Sequence, residues 1–212
     1  GAALPAIYAA LPKDTAIQTS LFGQYQRPGF INLYDQLLPD YAGGAFRAAS
    51  AASRTISRLT SEPNEIENPT GSRGAWAQQF FVGASQAKGQ TAAFRADGFG
   101  YVGGVETGGL GFGAVGATAA FVAINNADPH TPGDNRVGMS ELEAGVYWQG
   151  ETSGFTFDAR AAAGVNFFSA RRQFLETDAT THLVTLSRQT KASWTGYSLT
   201  GRFGVAYQVD LN

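Results

Sequence analysis

The chain reads as mainly β: an antiparallel transmembrane β-barrel preceded by an N-terminal helical segment. Three observations predict this. From Gly74 to Asn212 six runs alternate small or apolar residues with polar ones, the period of a strand with one apolar and one wet face. The gaps between those runs are in order moderate, very short, long, short and long, as in a barrel wall with tight turns on one side and long loops on the other. Charged residues make up only 15% of the chain, against about a quarter in ordinary soluble domains.

Residues 1–60 have a different character. Leu4 to Gln24 and Ile31 to Leu59 are rich in alanine and show no period of two, and Pro12, Pro28-Gly29 and Pro39 divide them. They read as a helical linker whose best helix spans Gly44 to Leu59. Arg47, Arg54 and Arg58 fall on one face of it, at i, i+7 and i+11. The rest of its surface is mostly Ala and Ser, so it is thin. At 1.5 Å per residue it is roughly 24 Å long, near the thickness of a bilayer's hydrocarbon. Residues 61–73, with Pro63, Asn64, Pro69 and Gly71, read as a flexible link.

Residues 74–212 supply about six strands. Thr107-Gly108-Gly109-Leu110 fits a two-residue hairpin, because Gly-Gly takes the positive φ of a primed turn. That register pairs Val105 with Phe112 outside and Gly104 with Gly113 inside. It puts Gly98, Gly100, Val102, Gly104, Gly111, Gly113, Val115, Ala117 and Ala119 on the inner face. Asn125 to Arg136 reads as a long polar loop. In the strand Val137 to Gln149, Leu142, Ala144, Val146 and Trp148 face out while Glu141, Glu143, Gly145 and Tyr147 face in. After a tight connection over Gln149 to Gly154, the strand Phe155 to Phe167 turns Phe155, Phe157, Ala159, Ala161, Ala163 and Val165 outward. Its Thr156, Asp158, Arg160 and Asn166 face inward. Pairing Trp148 near Phe155 sets Glu143 beside Arg160. Arg171 to Lys191 reads as a longer polar loop, with Leu183 to Leu186 suggesting a projecting hairpin. The last strand, Trp194 to Val209, turns Tyr197, Leu199, Phe203, Val205 and Tyr207 outward and Ser198, Thr200, Arg202 and Gln208 inward. Apolar-out, polar-in over about ten residues is the barrel rule.

The two halves explain one another. A face of glycine and alanine leaves room for something to approach the backbone, and the thin arginine-striped helix is the candidate. Glu106, Glu141, Glu143 and Asp158 then offer inward carboxylates to Arg47, Arg54 and Arg58. The plain alternative is that those arginines form a solvated helix face.

Other chemistries find little support. Cys is absent, which removes a disulfide framework and thiolate metal sites. A net charge of -2 gives no reason to expect nucleic acid. Gly111-Phe112-Gly113-Ala114-Val115-Gly116 satisfies GxGxxG, but the residues after it continue as a strand and open no helix. His130 and His182 are the only histidines. Both fall in expected loops, and Asp178 near His182 is too slight a basis for catalysis. The expectation is no enzyme, no catalytic residue, no metal and no cofactor. No run approaches the roughly 20 apolar residues of a membrane helix. With no charged n-region or apolar h-region at its start, the chain reads as a mature or excised piece.

LPDYAGGAFRAASAASRTISRL, followed by RGAWAQQFF, RADGFGYVGGVETGGLGFGAVG and SLTGRFGVAYQ, resembles the translocator domain of an autotransporter, over most of the chain from about Leu38. The resemblance implies a 12-stranded outer-membrane barrel, of which this chain supplies about half. It implies a pore helix joined to an N-terminal passenger at the surface of a Gram-negative bacterium, by type V secretion. Its partners would be outer-membrane lipid, the passenger and the barrel assembly machinery. The chain departs from the family in its six strands and in its Asp210-Leu211-Asn212 end. Some members cleave themselves at a pore Asn; Asn64 and Asn68 are no convincing counterpart.

Two functions are consistent with these features. One is a translocator and anchor, with the helix plugging the pore. The other is a passive outer-membrane pore or adhesin without a secreted passenger. In the family-like orientation Thr107 to Leu110 and Gln149 to Gly154 are periplasmic, with Trp148 and Tyr207 in the periplasmic aromatic girdle. Asn125 to Arg136 and Arg171 to Lys191 are then extracellular.

Overall fold

Alternating residues on the strand runs build one sheet. In the computed structural model, which describes residues 3–37, 43–61, 74–87, 93–111, 113–127, 132–178 and 180–207, six strands occur in chain order: β1 (Gly74–Gln86), β2 (Phe94–Leu110), β3 (Gly113–Ala127), β4 (Arg136–Thr152), β5 (Phe155–Thr177) and β6 (Val184–Tyr207). They form a single antiparallel sheet in the order β1-β2-β3-β4-β5-β6. Each strand is hydrogen-bonded to its sequence neighbour, which is the arrangement of a meander. The expected flexible link falls almost wholly outside the described residues.

The helices precede the sheet. They are α1 (Ala3–Ala10), a 3₁₀ turn (Leu11–Lys13), α2 (Thr15–Phe22), α3 (Arg27–Leu37) and α4 (Gly44–Ser61). The Asp14 carboxylate caps α2 by accepting from the amides of Ala16 and Ile17 at 3.1 and 3.2 Å, satisfying two donors the first turn leaves free. Among the described residues no helix is long and apolar enough to cross a membrane.

α4 packs on one face of the sheet. Its Ala45, Ala48, Ala52 and Ile56 are buried at i, i+3, i+7 and i+11, against Phe80, Val82, Val102, Val122 and Ile124. That spacing is one apolar stripe of a 3.6-residue period. The helix starts where β3 ends: a side chain on Gly44 would strike Asn126 and the Phe94 ring. A second apolar cluster joins Leu11, Leu21 and Leu33 to Phe174 and Leu186. β5 and β6 run past the start of β4, which pairs no further than Arg136↔Arg171, and α1–α3 pack on that overhang.

The outward and inward faces of β4, β5 and β6 are those the alternation predicts. Leu142, Val146, Phe167, Tyr197, Leu199 and Phe203 are exposed, and Glu141, Glu143, Tyr147, Arg160 and Asn166 are buried. Three expectations need correction. The β2–β3 hairpin does not turn at Gly108-Gly109. β2 runs on to Leu110 through an irregularity after Thr107, so that Val105 faces Ala117 and Gly104 faces Thr118. The register moves by an odd number of residues, and an odd shift turns every side chain over. Gly116, Thr118, Ala120, Val122, Ile124 and Asn126 therefore face α4, while Ala117 and Ala119 face away.

The second correction concerns the β4–β5 turn. It is Ser153-Gly154 alone, at φ 50 and 80, two positive-φ residues of the kind a primed hairpin needs. Trp148 pairs with Ala159, and Thr152 with Phe155. The third is that Arg171 to Lys191 is strand on both sides of a short turn, because β5 extends to Thr177 and β6 begins at Val184.

Candidate functional site

Strand parity gathers the charged side chains in the middle of the sheet on the face that carries α4. Glu143 and Arg160 form its centre. Arg160 Nη2 lies 2.5 Å from Glu143 Oε1, and the two side chains, arginine first, are 2% and 1% exposed. They are not cross-strand neighbours, since Arg160 faces Tyr147 and Glu143 faces Gly164. Arg160 leans along the strands across the row of Gly145 and Ala162, whose small side chains leave it a lane. Its Nη1 donates to Ser57 Oγ of α4 at 3.2 Å. Glu143 Oε2 and Arg160 Nε have no partner among the described residues. An ion pair so enclosed holds together because losing either partner strands the other charge out of water.

Further polar contacts extend along the helix. Glu141 accepts from Ser198 Oγ at 2.5 Å. Ser53 and Thr200 share a hydrogen bond of 3.0 Å. Gln149 Nε2 donates to the carbonyls of Thr60 and Ser61, both at 3.1 Å, which satisfies acceptors that a helix C-terminus leaves open. Ser61 donates to Asp158, and Asp158 pairs with Arg202 at 3.3 Å. Tyr147 donates to Glu106 at 2.8 Å and accepts from the Trp76 indole at 3.3 Å. Glu106, Glu141, Glu143, Asp158, Arg160 and Arg202 thus all lie on the face that bears α4.

The helix arginines do not meet these acids. Arg47, Arg54 and Arg58 are exposed, Arg54 and Arg58 on the side of α4 opposite its buried stripe and Arg47 in the first turn, where it reaches the ends of β1 and β2. Arg47 donates to Gln86 and lies 5.8 Å over the Phe94 ring. Arg54 bonds the Ser50 carbonyl of its own helix. The expected partners are engaged elsewhere, Glu143 by Arg160 and Glu106 by Tyr147. The reason is steric: only the alanine stripe lets the helix approach the strands closely.

The glycines also act differently from expectation. Gly98, Gly100 and Gly104 lie on the α4 face, but neighbouring strand side chains fill the space above them. Val82 lies over Gly98, the Phe80 ring over Gly100 and the Trp76 indole over Gly104. Gly111 sits in the β2–β3 turn and is exposed. Gly113, two residues on, opens β3 at φ +115, a conformation that demands glycine, and by strand parity it faces away from α4 with Ala117 and Ala119. Phe112 lies outside the described residues.

The residues that could have suggested catalysis have other roles. His130 lies outside the described residues. Asp178 caps the β5–β6 turn, accepting from the amides of Thr181 and Thr180 at 2.7 and 2.9 Å. Those bonds hold its carboxyl below the usual range. Among the described residues no three His, Cys, Asp or Glu gather around a point. Sequence reasoning missed Gln149, placed in a turn, and Ser57, an ordinary helix serine; neither carries a signal without the register. Parity had set Tyr147 inward without a partner.

Compared with known proteins, the chain matches no family model, no curated protein and no solved structure. The likeness to autotransporters therefore rests on its own residues.

Proposed function

We propose that this chain is the translocator and membrane anchor of an autotransporter. Its strands would form about half of the wall of a 12-stranded outer-membrane barrel, and α4 would plug the lumen. The observation that carries the reading is the division of the sheet into two unlike faces. One face bears a helix and a buried ion pair. The other exposes Phe81, Tyr197, Leu199 and Phe203, at 75%, 83%, 88% and 69%. A continuous apolar face of this extent is an interface with something apolar. From Phe155 to Phe167 it runs about 40 Å along β5 at 3.4 Å per residue, or about 28 Å at a 45° tilt, close to the apolar band of outer-membrane barrels.

The course of α4 supports the tether. It begins beside Phe94 and Asn126, at the long-loop end, and its last carbonyls meet Gln149 at the tight-turn end. That course leaves α1–α3 at the long-loop end, where a passenger would emerge. Aromatic rings border the apolar face at the other end: Trp148 against Phe157, and Phe155 against Tyr207 at 4.5 Å. Such rings favour a membrane–water interface.

Spin labels on the full-length protein in outer membranes test this. Leu199→Cys should be relaxed by oxygen dissolved in lipid and Thr200→Cys by neither oxygen nor a water-soluble nickel chelate. Equal access of the chelate to Leu199→Cys would sink the membrane reading. Protease added to intact cells should cut near Asp178 and spare Ser153. The passive-pore alternative gains if α1–α3 prove to be on the periplasmic side.

A further inference from the structure

The outward face ends in aromatic rings at the tight turns, but at the long-loop end it ends in cations. The register sets Arg95, Ala127, Arg136, Arg171 and Lys191 in one row across β2 to β6. Arg95 is paired with Asp97 at 3.1 Å. Arg136, Arg171 and Lys191 are direct cross-strand neighbours. Like charges set opposite each other on adjacent strands repel, so this row is unfavourable unless an anion lies over it. Asp134 provides part of the compensation, reaching Arg136 at 2.5 Å and Arg171 at 3.4 Å. Three cations less one carboxylate leave two positive charges.

The row beneath is small and polar. Gly138, Ser169 and Ser193 are neighbours in register, and with the cations they line an open groove of about 480 Å³. Below that row the face becomes apolar, with Phe167, then Tyr197, then Leu199. Cations, hydroxyls and apolar side chains therefore succeed one another down a single face, in the order of a lipid's phosphate, headgroup and acyl chains.

We propose that this groove binds the phosphorylated headgroup of a lipid in the leaflet on the long-loop side. Arg136, Arg171 and Lys191 hold the phosphate, and Ser169 and Ser193 bond the rest of the headgroup. The acyl chains lie over Phe167, Tyr197 and Leu199. A free anion would use only the cations, whereas the lipid uses the whole gradient. The inference rests on the membrane reading above, but binding in micelles can be measured whether or not the sheet spans a bilayer.

The experiment uses full-length protein in zwitterionic detergent micelles, with diphosphorylated lipid A as the probe and native mass spectrometry to count bound lipid. The triple variant Arg136→Gln/Arg171→Gln/Lys191→Gln should lower affinity by about a hundredfold, from roughly 1 kcal/mol for each of three basic residues near a phosphorylated surface. Asp134→Asn removes the competing carboxylate and should raise affinity. Arg27→Gln, an exposed charge on α3, should change nothing. Dephosphorylated lipid A should bind no better to the wild type than to the triple variant. Unchanged affinity in a folded triple variant overturns the proposal, and so does inorganic phosphate displacing the lipid at equal concentration. If the triple variant does not fold, Asp134→Asn decides, and no rise in affinity overturns it.

Discussion

Two helical units lie on the same face of this sheet, and they hold it by opposite means. α4 lies over the middle of the strands with a stripe of alanines, so its backbone comes close to the wall. Its polar contacts are buried deeply beside it, as in Arg160–Glu143 with Ser57. The α1–α3 unit sits on the β5–β6 overhang with larger side chains, Leu11, Leu21 and Leu33 on Phe174 and Leu186. Its polar contacts are made to the backbone and at the rim. The Gln36 amide donates to the Leu175 carbonyl at 3.1 Å and accepts from the Leu175 amide at 2.8 Å. The difference arises from what each stretch of strand lacks. Beneath α4 every strand edge but the outermost is paired, and only side chains need partners. On the overhang β4 has ended, so β5 presents bare backbone there. Gln36 supplies the missing pairing, and Asn135 does the same for the Gln173 amide at 3.2 Å. An open strand edge is a template for unwanted pairing, and the helical unit covers this one.

The largest expected effect separates the two units at the buried charge. Arg160→Met leaves Glu143 enclosed without a partner and should cost about 3–5 kcal/mol, whereas Arg160→Met with Glu143→Leu should recover most of it. Urea unfolding in micelles, followed by tryptophan fluorescence, measures both. Failure of the double variant to recover would show that the pair is held for packing and not for charge. A smaller effect tests the alanine stripe. Ala52 has no exposed surface, so Ala52→Leu should overpack the interface at a cost of about 1–3 kcal/mol. The same exchange at Ala51, half-buried on α4, should cost less. Equal costs would mean that close approach is not what seats the helix.

The legible part of the fold is the part where one face is wet or enclosed and the other apolar. Leu142 against Glu143, or Leu199 against Thr200, carries its parity in its residue types, and the structure agrees on all three later strands. On β3 the residues from Gly113 to Ala120 are small on both faces, so their parity hung on the turn from β2. One irregularity between Thr107 and Leu110 reversed it there, while Gly98, Gly100, Val102 and Gly104 of β2 keep the expected face. The overhang was unreadable for the reverse reason. Arg171 to Gln173 and Ser187 to Lys191 are polar on both faces, and a ribbon outside the apolar band has no alternation to show. Of the charged cluster, Glu143 and Arg160 could be paired from sequence by a register that proved wrong, because a long arginine reaches over two rows. The partners of Arg47, Arg54 and Arg58 could not be read, since helical spacing places them on one face without saying which way it turns.

Gln36→Ala breaks the second unit and leaves the first intact. It strands the amide and carbonyl of Leu175 in a partly buried position, which should cost about 1–3 kcal/mol. The loss should be local. Hydrogen exchange should quicken at Leu175 and along α3 and stay unchanged along α4. Faster exchange in α4 as well would mean that the two helical units open together, and the contrast between them would fail.

The smallest effect is a dependence on pH that only the α1–α3 unit should show. Asp14 caps α2 and pairs with Arg188 of β6 at 3.2 Å. The Ile17 amide above all, then Arg188 and the Ala16 amide, hold its carboxyl below the ordinary value of 3.8. A carboxyl depressed on folding contributes its stability in full above that ordinary value, and loses it as pH falls through the folded value. Asp178, in the β5–β6 turn, is depressed in the same direction, so comparison with Asp14→Ala isolates the cap. Protection of the α2 amides should be greater in the wild type at neutral pH, and the difference should shrink below about pH 4, where the carboxylate gains its proton. At neutral pH added salt should reduce the Arg188 part of that difference and leave the capping bonds, because exposed ion pairs are screened and hydrogen bonds to backbone amides are not. A difference that persisted undiminished into acid would mean that Asp14 acts through its shape and not its charge. The overhang would then hold α2 by apolar packing alone.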